Sequence, residues 1–126
     1  MNVTRHTIAV TTDDSGDATV YTDVINGMLV NIIYTKDDFA DGVDFAITGE
    51  TTGLSLWEED SVDASKTVSP RQPLHDQSGN ALLYAGQGEA VMGLLYLSQE
   101  RMKLVIANGG DTKSGTIDIL IAGPTG

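Results

Sequence analysis

No stretch of twelve or more residues in this chain repeats its apolar side chains at the 3.6-residue helical period, which turns the reading toward β structure. Apolar and polar residues instead alternate in short runs, broken by turn formers at about ten-residue spacing. Residues 115–122 alternate most strictly, placing Ile117, Ile119 and Ile121 on one face of an extended strand. Val, Ile and Thr make up 33 of the 126 residues, side chains that suit a pleated surface, and 14 glycines supply turns and bulges.

Strands are expected at residues 3–12, 18–24, 27–36, 43–48, 54–58, 81–85, 91–98, 102–108 and 115–122. Val20 is expected inward and Tyr21 on the opposite face. The turn Asp13-Asp14-Ser15-Gly16-Asp17 predicts a hairpin between the first two strands, and the loop opening at Asn108-Gly109-Gly110-Asp111 predicts another between the last two. The expected fold is an all-β, two-sheet antiparallel β-sandwich of eight to ten strands, jelly-roll or Greek-key like, in a single domain over residues 1–126. Residues 60–80 form a long polar connection that carries Pro70, Arg71, Pro73 and His75, with a short edge strand expected near 65–69.

The chain has no cysteine, which excludes disulfides and thiolate metal sites. Residues 1–14 alternate rather than run apolar, so no secretory signal is expected, and no run is long enough to span a bilayer; the protein is expected to be made in a cytoplasm and to have no membrane partner. The net charge of −11 lies entirely in the first half: residues 1–63 hold thirteen acids against Arg5 and Lys36, and residues 64–126 hold five of each sign. Such a surface repels phosphates and argues against a nucleic acid partner.

Each chemical constellation fails on its own terms. The two histidines are isolated, and Gly53-Leu54-Ser55-Leu56-Trp57 lacks the second glycine of a nucleophile elbow. An EF-hand loop begun at Asp37 would place Phe39 where an oxygen ligand belongs and Thr48 where an acid belongs. Looser cation sites at Asp37, Asp41 and Asp44, or at Asp13, Asp14 and Asp17, compete with the ordinary role of aspartate in turns. Gly86-Gln87-Gly88 reads as a turn with no lysine or helix after it, and Glu58-Glu59-Asp60 puts neighbouring carboxylates on opposite faces of a strand, so it does not by itself supply a pair facing across a cleft. The aromatics are scattered and read as core and cross-strand pairs, Trp57 among them. No catalytic, cofactor or metal residue is therefore assigned, and no enzyme is expected.

The runs Thr-Thr-Asp-Asp-Ser-Gly-Asp-Ala-Thr-Val-Tyr-Thr (residues 11–22), the Asp-rich segment 34–53, Ser69-Pro70-Arg71, and Asn-Gly-Gly-Asp-Thr-Lys-Ser-Gly-Thr (residues 108–116) carry a resemblance across nearly the whole chain. In these the sequence resembles small head-associated proteins of tailed bacteriophages, similar to capsid decoration, or cement, proteins. The resemblance implies a structural virion protein on the outer surface of the capsid, binding across joints between subunits of the major capsid protein, itself a dimer or trimer, with no cofactor. Asn2, Val3, Thr4, Arg5 and His6 are the expected strand-adding contact, and Pro70, Arg71, Pro73 and His75 an expected docking arm. A head–tail completion or tail component, and a carbohydrate- or host-surface-binding β module, are the alternative expectations.

Overall fold

The structure, a computed structural model, describes residues 2–83 and 88–123. Its strands are β1 (Asn2–Thr11), β2 (Ala18–Tyr21), β3 (Ile25–Lys36), β4 (Val43–Gly49), β5 (Ser55–Val62), β6 (Lys66–Val68), β7 (Arg71–Pro73), β8 (Met92–Glu100), β9 (Met102–Ala107) and β10 (Ser114–Gly123). There is no helix among the described residues. One sheet runs β1-β10-β3-β8-β7, with β6 also paired to β3; the other runs β2-β9-β4-β5. All strand pairs are antiparallel.

The pairs β1·β10, β2·β9 and β3·β8 nest around β4·β5 and alternate between the two sheets. This is the winding of a jelly roll, a long hairpin rolled upon itself, and it decides between the two expected arrangements. It also corrects both expected hairpins. β1 and β2 belong to different sheets, as do β9 and β10, so the turns at residues 13–17 and 108–113 cross the sandwich. A tight polar turn serves a crossing as well as a hairpin, and the choice is made by partners about a hundred residues away: Thr11 pairs with Ser114, and Ala18 with Ile106. The two crossings brace each other, with the Gly109 amide donating to Gly16 O and the Thr112 amide to Asp13 O.

Alternation fills the space between the sheets. Ile117, Ile119 and Ile121 are fully buried, facing Phe45, Ile47, Leu104 and Ile106 of the smaller sheet within one core. Val20 is half-buried against that core and Tyr21 is exposed, as expected. Gly115 is required by packing: a Cβ there would sit 2.6 Å from Cδ2 of the buried Phe39 ring.

The core's aromatic end holds Tyr34, Phe39, Phe45 and Trp57, with Phe45 centred 4.7 Å from Tyr34 and 4.9 Å from Trp57. The Tyr34 hydroxyl is buried and has no hydrogen-bond partner among the described residues. Burial first, then the charges of Asp37 and Asp41, push its pKa up to about 12. A buried polar group without a partner opposes folding, so Tyr34→Phe is expected to leave stability unchanged or raise it by up to about 2 kcal/mol. A urea midpoint below that of wild type would refute this.

The polar connection at 60–80 is partly absorbed into the larger sheet. The expected edge strand is present as β6, on Ile32, Ile33 and Tyr34 of β3, and β7 pairs with β8. His75 bridges Ala81, and Leu83 bridges Ala90. The expected strand at 81–85 and the Gly86-Gln87-Gly88 turn fall in part on residues outside those described.

Near β6, Lys66 donates to Glu59, and so does the Trp57 indole. The bond from Lys66, then the indole, hold the Glu59 carboxyl below its ordinary 4.5. A depressed carboxyl stabilises the fold above its unfolded pKa, and the contribution disappears as pH falls through the folded value. Glu59→Gln is therefore expected to be less stable than wild type near pH 7 and to converge with it well below about pH 4.5. Denaturant midpoints across that range check it.

Candidate interaction surface

The contact residues expected from sequence do not form one patch. Asn2, Val3, Thr4, Arg5 and His6 make the first half of β1, at one edge of the larger sheet. Arg71 and Pro73 lie in β7 at the other edge, with Pro70 just before it and His75 just after. The two histidines thus stand at opposite sides of the molecule.

The outward face of that sheet joins the two groups. Val3 lies opposite Ala122, Ala122 opposite Met28, and Met28 opposite Tyr96. Residues directly opposite across antiparallel strands share a face. The neighbouring positions Leu29, Leu95 and Ile121 are core, so this row lies on the sheet's other face, where Ala122 is itself covered, at 4% exposed. It spans four strands, and its ends are its most open members: Val3 is 60% exposed and Tyr96 68%. Met92, also exposed, lies on the same side of β8.

Charge on this face is sparse and not acidic. At outward positions of the strands the charged residues are Arg5, Arg71 and Asp118. Asp118 is mostly buried, pairs with Arg5 at 3.5 Å and accepts a hydrogen bond from Thr7. Arg71 Nη1 donates to Val30 O at 3.0 Å and Pro70 O at 2.7 Å, which pins the guanidinium over β3. Among the described residues no carboxylate pairs with it.

The Asp-rich loops are tied into the scaffold. Asp13 Oδ1 accepts from the amides of Ser15 and Asp17, which closes its own turn. Asp38 accepts from the Ser114 amide, Asp63 from the Gly42 amide, and Asp44 from the Ser61 amide and the Asn108 side chain. Asp41 pairs with Lys36. Among the described residues no three His, Asp or Glu side chains are grouped to hold a metal ion.

An open groove of about 350 Å³ runs between β1 and the end of β2, lined by His6, Thr7, Ile8, Ala9, Tyr21, Thr22 and Asp23. It marks where two sheet edges come alongside each other. Tyr21 carries the Arg101 guanidinium 4.6 Å above its ring. Trp57 is core, stacked on Phe45; Tyr21 is exposed as expected, and Tyr96 is exposed, paired across strands with Met28. No protein-family model and no curated protein matches the chain.

Sequence reading missed the Val3–Ala122–Met28–Tyr96 row. Its members lie far apart in the chain and meet only through three interstrand registers. The signal present was local: outward positions of β8 hold Met92, Leu94 and Tyr96, where a solvated face would hold polar residues.

Proposed function

We propose that this chain is a structural bacteriophage virion protein that decorates the outer surface of the capsid and stabilises it by binding across joints between major capsid subunits. The observation that carries the reading is the apolar row on the outward face of the larger sheet, open at Val3 and Tyr96 and nearly free of acid in a chain of net charge −11. A rigid sandwich that presents an apolar, weakly cationic strip is suited to gripping a protein surface. The sequence resemblance to head-associated phage proteins supplies the partner; a jelly roll alone does not fix function. A protein that binds only the assembled shell shifts the equilibrium toward assembly, and many copies multiply a modest contact.

Co-sedimentation with purified tail-less heads tests the proposal. Many copies per head are expected, and Tyr96→Asp is expected to reduce occupancy at least about tenfold while shifting stability by no more than about 0.5 kcal/mol. A few copies per head would instead indicate a head–tail completion or tail component. No binding to heads, or full binding by Tyr96→Asp, would overturn the assignment. The glycan-binding alternative loses its strongest residue, because the Trp57 ring is stacked inside the core.

A further inference from the structure

Five described strands lie at sheet edges, and four are protected against strand addition, among them β6 with only three residues. β2 has four residues, and β7 has three and ends in Pro73. β5 carries Glu58-Glu59-Asp60 and two register irregularities against β4. Short length, proline, bulges and charge are the usual devices that keep an edge from pairing with another chain. β1 has none of them except a single charge, Arg5. It runs ten residues, Asn2–Thr11, without proline, in unbroken register with β10, and its other side pairs with no described strand.

We infer that β1 is a homodimer interface, in which two copies join β1 to β1 antiparallel about a twofold axis and the two larger sheets become one. The charge distribution favours a second copy as the occupant. Residues 2–11 contain Arg5 and His6 and no acid, so this edge lets two chains of net charge −11 meet with little direct repulsion. The twofold axis restricts the register. Opposed residues must share a face, so the axis passes between two copies of the same residue. Centring on Arg5 opposes two guanidiniums, and centring on His6 opposes two imidazoles. Centring on Thr7 opposes two threonines, sets Arg5 against the exposed Ala9 of the other copy and Val3 against Thr11, and leaves no like charges face to face. In this dimer the two apolar rows lie on one continuous surface, symmetric about Thr7.

This inference does not rest on the virion reading, and its test uses the isolated full-length protein without heads. Sedimentation equilibrium is expected to show a monomer–dimer equilibrium that tightens with added salt, because salt screens the repulsion between acidic copies. Ala9→Lys places a cation against Arg5 of the other copy, and Ala9→Glu an anion. Both contacts occur twice per dimer, so Kd is expected to rise roughly fivefold for Ala9→Lys and to fall roughly fivefold for Ala9→Glu. Circular dichroism confirms that each variant is folded. A monomer at every concentration up to about 1 mM, a larger closed ring, or a dimer that responds equally to both substitutions would overturn the inference.

Discussion

Replacing Phe45 by alanine is expected to cost about 4 kcal/mol, a large share of the roughly 5–15 kcal/mol that holds a domain of this kind together. Phe45 sits in β4, between β9 and β5, and is 1% exposed. Its ring lies at 15° to Trp57 and 55° to Tyr34, and it also contacts Phe39 with 6.4 Å between centroids. Truncation removes the ring's burial and leaves a void that three rigid aromatics cannot refill. The shift appears as a lower urea midpoint with little change in slope. Because Trp57 loses its stacking partner, the near-ultraviolet dichroism of the folded variant should weaken as well. Phe45→Leu, which keeps most of the volume, is expected to cost less than half as much. Equal costs for the two variants would show that filled volume is not what matters.

Removing the Glu100 carboxylate is expected to cost about 3 kcal/mol. Glu100 closes β8 and is only 3% exposed. Its Oε1 accepts the Thr51 amide at 2.9 Å, the Thr52 amide at 2.8 Å and the Thr52 hydroxyl at 3.0 Å. These bonds fasten the β4–β5 turn to the end of the other sheet, and no cation pairs with the carboxylate among the described residues. Glu100→Ala strands two backbone amides, whereas Glu100→Gln keeps an acceptor and should lose less. Gly49 leaves the space that the carboxylate occupies: a Cβ there would lie 2.6 Å from Glu100 Cδ. Gly49→Ala should therefore resemble Glu100→Ala. Hydrogen exchange at Thr51 and Thr52 should quicken first in both variants. Unchanged protection there would refute the role assigned to Glu100.

Side-chain alternation made the strands legible, because a period of two fixes which residues face inward whatever the partner. It located Ile117, Ile119 and Ile121, set Val20 against Tyr21, and marked an edge strand near β6. Pairing was not legible. The turns at residues 13–17 and 108–113 have the composition of hairpin loops, yet each carries the chain across the sandwich. Nothing within five residues of either turn encodes partners at the far end of the sequence. Glu100 was equally hidden, since an acidic residue at a strand end reads as solvent-exposed unless the turn that folds over it is known. The interaction surface falls between these cases. Val3 and Arg5 stood out on β1, but the row that runs from Val3 to Tyr96 exists only once four strands have aligned.

Nesting the strand pairs also orders events in time. The innermost pair, β4 with β5, needs only a short turn, whereas Thr7 of β1 meets Asp118 of β10 across 111 positions of chain. Loop-closure entropy makes such distant contacts slow to form, so the sandwich should assemble from its middle outward and zip its outermost ladder last. Until that ladder closes, β1 has two bare sides instead of one, and a nascent chain in a crowded cell is then at its most vulnerable to premature association through this segment.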